Sequence, residues 1–400
     1  MRFKLPILLY LAIGLCFSVN LVKAQGSDAQ YFAPSVYPKS PNVASFAKYG
    51  DYQVNLFTGL PDISIPLYTV EAGGLKVPIT LSYHASGIKL TDVASWVGLG
   101  WSIPGGGAIS RRILGRADDD TYGYLNGGFR GTGPFNTGVT MDMQYLDDVS
   151  RGKLDGRPDI FSYDFSGHSG KFFLDGTNNY TPVLLPYAAV KITYPDHSLG
   201  YFNVTDEQGN NYKFGFPAIE TTYTGGAGNV ATPATTSWMM DYMISQNRRD
   251  TISFTYGDDY LIYPSGNSQM EALTDQINNA GGDPPNPYTV SDNPGTTTSS
   301  STGVAEKPLN QINFKNGYVL FEKDDTLRKD INIGGAANNV YGLKDIKVYA
   351  YNYSTKVMEV EKTIKFYKSY FGTAAKYNFR LRLDSIQILD AAGAVIQHYR

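Results

Sequence analysis

Two short runs with one turn between them limit what this chain can fold into more than any other feature. "DISIPLYTV" alternates Ile63, Ile65 and Leu67 against Ser64, Pro66 and Tyr68. "KVPITLSYH" alternates Val77, Ile79, Leu81 and Tyr83 against Pro78, Thr80, Ser82 and His84. A period of two sends successive side chains to opposite faces, so each run reads as a strand with one buried face. "EAGG" between them supplies the turn. The prolines lie on the wetter side and lack an N–H, which places these strands at sheet edges or puts the prolines at strand starts.

The same pattern recurs along the chain. "GYFNVTDEQGNNYKFGF" reads as a hairpin, with Phe202 and Val204 leading in, Asp206 to Asn211 turning, and Tyr212, Phe214 and Phe216 leading out. "INFKNGYVLF" reads as a tighter hairpin with Asn316-Gly317 at its tip. "DTISFTY", "DIKVYAYNY", "VEKTIKFYKSYF" and "FRLRLDSIQIL" are further strands. In the last one the apolar phase switches from Leu381 and Leu383 to Ile386 and Ile388, so a bulge is expected near Asp384-Ser385. The 31 Tyr and 20 Phe suit pleated surfaces, and the 42 Gly suit many turns. The expected class is all-β: many short antiparallel strands in large curled sheets, sandwich- or shell-like, with a long disordered insertion.

Arg2 and Lys4 precede an apolar run from Leu5 to Val19, and Val22-Lys23-Ala24 follows. This reads as a signal peptide over 1–24, cleaved after Ala24 to leave Gln25 first. Its core is short for a membrane span of about 20 residues, and no later stretch is apolar enough to span. Cys16, the only cysteine, lies inside that core. The mature chain therefore relies on a buried core without disulfides, although export would permit them. Removing Arg2, Lys4 and Lys23 lowers the 34 basic side chains to 31, against 37 acidic. That mildly acidic balance, with no long basic run, argues against nucleic acid as a partner. The expected location is secreted or cell surface.

The remaining organisation is an extended leader over 25–47, broken by Pro34, Pro38 and Pro41, then an N-terminal β domain over 48–263. A flexible Gly/Pro/Ser/Thr-rich insertion is expected over 264–308, with a short helix over Ser268 to Asn279, because "GGDPPNPYTVSDNPGTTTSSSTG" has little to bury. A C-terminal β segment occupies 309–400. It stops at Arg400 with a strand under way after Ala392-Gly393, and so is expected to continue into a longer protein.

The stretch "SWVGLGWSIPGGGAISR", Ser95 to Arg111, is the strongest candidate for chemistry. As a dinucleotide loop it starts well at Gly98-Leu99-Gly100, but Ile103 sits where the third glycine belongs. As a P-loop it fails, since Gly105-Gly106-Gly107 is followed by Ala108-Ile109. A hydrolase elbow G-x-S-x-G fails at Pro104, and Gly167-His168-Ser169-Gly170 is one residue short. The better reading is a structural sheet corner. Trp96 and Trp101 supply apolar bodies, Gly98 and Gly100 allow close backbone approach, Gly105, Gly106 and Gly107 permit a turn, and Arg111 closes the returning strand.

His84, His168, His197 and His398 have no metal-ligand spacing. Asp118-Asp119-Asp120 and the stretch from Asp206 to Asn210 carry oxygen ligands for a loose calcium site, without the spacing of a dedicated loop. The plainer reading of both is turn residues. No glycosidase carboxylate pair is evident, because adjacent residues on a strand face opposite ways. No catalytic residue, cofactor or metal is expected.

The opening block resembles the front end of bacterial Rhs/YD-repeat proteins, including toxin-complex B components. Such chains begin with a strand like "ISIPL", a "P-x-x-L-x-Y" strand, a "GLGW" or "GIGW" corner and an arginine-ended strand. Here these are "DISIPLYTV", "VPITLSYHASGIK", "WVGLGWSI" and "GGGAISRRILGR". "DGRPDIFSYDFSGHSGKFFLD", "SWMMDYMISQNRRDTISFTY" and "RLRLDSIQILDAAG" are similar to secreted members. The resemblance runs from about Ser40 to Arg400 and is most specific over Ala44 to Arg111. It implies a β-rich shell whose C-terminal region carries any toxic activity. This chain has no array of "Y-D" repeats, no "D-P-x-G" motif and no effector. The resemblance therefore implies a non-enzymatic scaffold segment, partnered by a C-terminal effector or repeat region of the same longer chain. A surface module binding a glycan or a protein ligand through exposed tyrosines is the alternative.

Overall fold

The computed structural model describes residues 63–400 apart from 86, 90–91, 128, 131–139, 227–231, 258–259, 263–264, 270–296, 332–339 and 373–378. The signal segment and leader lie outside the described residues. Among the described residues strands dominate and every pairing is antiparallel, as the all-β expectation requires.

The first two runs form β1 (Ile63–Ala72) and β2 (Leu75–Tyr83), joined by a turn at Gly73-Gly74. Short β3 (Trp101–Ser102) pairs with the end of β2. Leu67, Val70, Val77, Ile79 and Leu81 are buried, while Pro66, Thr69, Lys76 and Pro78 face out. Leu67 is a bulge, since Pro66 pairs with Thr80 and Tyr68 with Ile79. The bulge moves the buried phase of β1 from odd to even positions, and Val70 follows Leu67 inward.

The remaining strands make one branched sheet. One arm holds β4 (Gly107–Arg112), β5 (Ile160–Phe165), β6 (His168–Asp175) and β7 (Thr181–Leu185). The other holds β8 (Lys191–Thr193), β9 (Tyr201–Thr205) and β10 (Asn211–Gly226). Strand β11 (Thr232–Ile244) joins them, pairing with β10 on one edge and with β4 through Ser237–Met239 on the other. The arms close on each other through aromatic rings. Phe202 of β9 meets Phe161 of β5 and Phe172 of β6 edge-on, each at 5.8 Å.

Strand β11 also pairs with β12 (Thr251–Tyr256). Next come β13 (Tyr260–Ile262), β14 (Ser265–Gln269) and β15 (Thr297–Glu306). The ladder then runs through β16 (Leu309–Phe314), β17 (Gly317–Leu327), β18 (Tyr341–Asn352), β19 (Val357–Phe371), β20 (Arg380–Leu389) and β21 (Val395–Tyr399). Phe254 of β12 pairs with Ile312 of β16, so the ladder passes directly from the 48–263 segment into the 309–400 segment.

The flexible reading of 264–308 needs correction at both ends. Strand β15 pairs with β13, β14 and the far half of β10. Its "TTSSSTGVAE" is poor in apolar side chains, but its backbone groups have neighbours on both edges, and threonine suits a strand. Ser268 and Gln269 belong to β14 and not to the expected helix. The rest of that helix and the proline-rich middle lie outside the described residues. The only α-helix among the described residues is α1 (Thr140–Ser150), which the sequence reading missed.

The hairpins hold with one shift. Phe202 pairs with Phe214 and Val204 with Tyr212. In the second hairpin Phe314 pairs with Gly317, so the tip is Lys315-Asn316, one residue earlier than expected. Gly317 serves close approach instead, because a Cβ there would lie 2.2 Å from the Tyr349 carbonyl oxygen. The bulge near Asp384 is present: Ser385 pairs with Tyr367 and Leu383 with Lys368, leaving Asp384 over.

Candidate functional site

The glycine- and tryptophan-rich stretch is a strap from the small sheet to the C-terminal ladder. Its backbone makes the attachments. Leu99 N–H donates to the Leu381 carbonyl of β20 at 2.9 Å, and Leu343 N–H of β18 donates to the Trp96 carbonyl at 2.9 Å. Arg328 Nη2 donates to the Ala94 carbonyl at 2.9 Å, and Arg380 Nη1 to the Asp92 carbonyl at 2.6 Å. Within the strap, Gly98 N–H donates to Ser95 O and Trp101 N–H to Gly98 O. A phosphate loop needs such N–H groups aimed at its ligand. Here those of Gly98, Leu99 and Trp101 are bonded to carbonyls of the chain itself.

The side chains show why these residue types stand here. Trp96 is buried and stacks on Phe321 of β17 at 6.0 Å and 18°. Trp101 is only half-buried and leans on Tyr83 at 5.0 Å. Gly98 has φ +141°, and a Cβ there would lie 2.8 Å from the Leu383 backbone nitrogen. Gly100 lies under the Tyr83 ring, Gly105 under Leu309 and Gly106 under Phe254. Gly107 has φ +133° and abuts the Asp164 carbonyl oxygen. The eight residues do not gather round one cavity. The tryptophans, Gly98 and Gly100 serve the strap, the Gly105–Gly107 run packs against β5, β12 and β16, and Arg111 belongs to a different cluster.

Arg111 is wholly buried on β4, with its guanidinium 5.3 Å from the Trp238 ring centre. Its Nη1 donates to Asp119 Oδ1 at 2.6 Å and lies 3.8 Å from Asp159 Oδ2. Asp118 and Asp159 are fully buried and exchange hydrogen bonds. Asp159 N–H donates to Asp118 Oδ1 at 2.9 Å, and Asp118 N–H donates to Asp159 Oδ2 at 3.0 Å. Leu114 N–H adds a bond to Asp159 Oδ1 at 2.8 Å. Among the described residues, Asp118 Oδ2 and Arg111 Nε and Nη2 have no hydrogen-bond partner. Burial, then the charge of Asp159, raises Asp118 well above the ordinary carboxylate range. Burial raises Asp159 too, while Arg111 and two backbone N–H groups pull it down.

The sequence reading found Asp118 but not its partner, because Asp159 lies 41 positions away in an unmarked loop. The calcium alternatives do not assemble. Asp118 and Asp159 face backbone N–H groups and Arg111. Asp120 accepts from Tyr122 N–H at 3.0 Å. Asp206 accepts from the N–H groups of Gln208 and Asn210 at 2.9 and 2.8 Å and from the Tyr212 hydroxyl at 2.9 Å. No group of His, Cys, Asp and Glu among the described residues has the arrangement of a metal centre. His168 and Ser169 lie on β6, in an antiparallel pair with β5 and not at a strand-to-helix turn. His168 Nε2 is 2.9 Å from Glu207 Oε2. No helix of the described residues is long and apolar enough to cross a membrane.

Comparison with known proteins finds no matching family model and no matching curated protein.

Proposed function

We propose that this chain is a non-enzymatic, exported β scaffold, the N-terminal part of an Rhs/YD-repeat-like shell that encases or presents a C-terminal effector. The observation that carries this reading is the strap. Its most motif-like residues use their N–H groups and glycine contacts to fasten one sheet to another. A segment committed to that task serves mechanical continuity, which a shell wall needs. The exported location rests on the signal-peptide reading, and the family assignment on the opening-block resemblance.

The test is the exported product itself. Its mass and the reading frame through its end are expected to show a chain running past Arg400 into further antiparallel strands and tyrosine-aspartate repeats. A product from an intact gene that ends at Arg400 overturns the shell reading. A second reading, a surface glycan- or protein-binding module, draws on Tyr187, Tyr353 and Phe216, which are 88%, 71% and 66% exposed. Against it, Tyr318 and Tyr349 stack at 4.5 Å and 17°, so each ring covers one face of the other. A glycan array probed with the mature chain separates the two readings.

A further inference from the structure

Several carboxylates gather near the buried guanidinium of Arg111. Asp118 and Asp119 follow β4 on the same segment, and Asp155 and Asp159 lie on the segment that leads into β5. Asp119 takes the one close ion pair, at 2.6 Å, and keeps part of its side chain in solvent. Asp155 accepts from the N–H groups of Arg116 and Arg157 at 2.8 and 3.0 Å. Asp159 accepts two backbone N–H groups and has Arg111 nearby. Asp118 has the least. One oxygen accepts a single N–H, and the other, Oδ2, is buried with no partner among the described residues. An ionised carboxylate in such a place is costly, and taking up a proton removes the cost.

We propose that the Asp118–Asp159 pair is a proton-held clasp, in which Asp118 stays neutral in the folded protein and its loss of that proton loosens the joint between the segment after β4 and the start of β5. The reciprocal N–H bonds are the jaws of the clasp. They join positions 41 apart, just beyond the Arg112–Ile160 end of the β4–β5 ladder. Ionising Asp118 places two negative charges in that closed contact, with Arg111 already engaged by Asp119. The clasp is independent of the scaffold reading and survives its failure.

The sign follows from linkage. A carboxyl raised in the folded state binds its proton more tightly there than in the unfolded chain. Its contribution is therefore fully present below the ordinary carboxylate value of about 4 and is lost as pH rises toward the folded value. Urea unfolding of the mature chain at steps from pH 5 to 9 tests this. One retained proton makes the unfolding constant rise by up to about tenfold per pH unit. Asp118→Asn keeps the oxygen that accepts from Asp159 N–H and has no proton to lose, so its slope is expected to fall by up to one proton. It should also be more stable than wild type at pH 9. Parallel pH dependences in the two proteins overturn the clasp. Carboxyl carbon NMR of the wild type gives a second reading that needs no variant. The Asp118 signal should stay in its protonated position at pH 6. An Asp118 signal already in its ionised position at pH 6 overturns the proposal.

Discussion

The strap and the clasp do the same job with opposite chemistry. Each fastens a connecting segment to the sheet. The strap uses neutral backbone hydrogen bonds at Leu99 and Leu343, an aromatic stack between Trp96 and Phe321, and a glycine against the Leu383 backbone. The clasp uses buried charge, with Arg111 facing Asp119 and Asp159, and an under-bonded Asp118. Neutral contacts of the first kind respond to lost volume. Buried ion clusters respond to protons and to removal of a partner. The difference separates what fixes the architecture from what makes it sensitive to solution conditions.

The largest expected effect falls on the clasp. Arg111→Met leaves Asp119 and Asp159 without their counter-charge and should cost about 3–5 kcal/mol at pH 8. The loss should shrink at pH 5, where Asp159, raised by burial, can take up a proton. Urea midpoints at the two pH values check this, and a loss independent of pH would erase the contrast with the strap. Trp96→Ala removes a buried indole and should also cost about 3–5 kcal/mol, equally at both pH values. Gly98→Val forces a β-branched side chain to φ +141° and into the Leu383 nitrogen. It should cost at least about 1–3 kcal/mol, seen as a lower melting temperature. Trp101→Ala should cost less, about 1–2 kcal/mol, because half-burial leaves less area to lose. Equal costs at Trp96 and Trp101 would mean the strap is anchored as firmly at its β3 end as under β17.

The ranking of the two tryptophans shows where the sequence stops being informative. Both looked like anchors of one corner, and nothing in "WVGLGW" says which ring goes under a strand more than two hundred positions later. Local patterns were legible: the β1–β2 alternation, the β9–β10 hairpin, and the phase switch that became the Asp384 bulge. Each depends on neighbours within one hairpin. The bulge at Leu67 was hidden, because an alternation read from Ile63 to Leu67 has no reason to change phase at Val70. Strand β15 was hidden because its support is backbone pairing with β10, which leaves no apolar signature. Helix α1 has no buried residue among those whose side chains are described, and is marked mainly by charge, with Asp142 in its first turn and Asp147 paired with Arg151 at 2.8 Å. The partner of Asp118 could not be read either, since a buried carboxyl pair has no spacing rule.

Amide hydrogen exchange at Leu99 and Leu343, in the mature protein with and without added nucleotide, bears most directly on whether the glycine- and tryptophan-rich stretch is architecture. A structural strap holds both amides at protection close to that of global unfolding, unchanged by nucleotide or phosphate. Fast exchange at both in the free protein, slowed when nucleotide is added, would mean that these N–H groups await a ligand, and would contradict the strap.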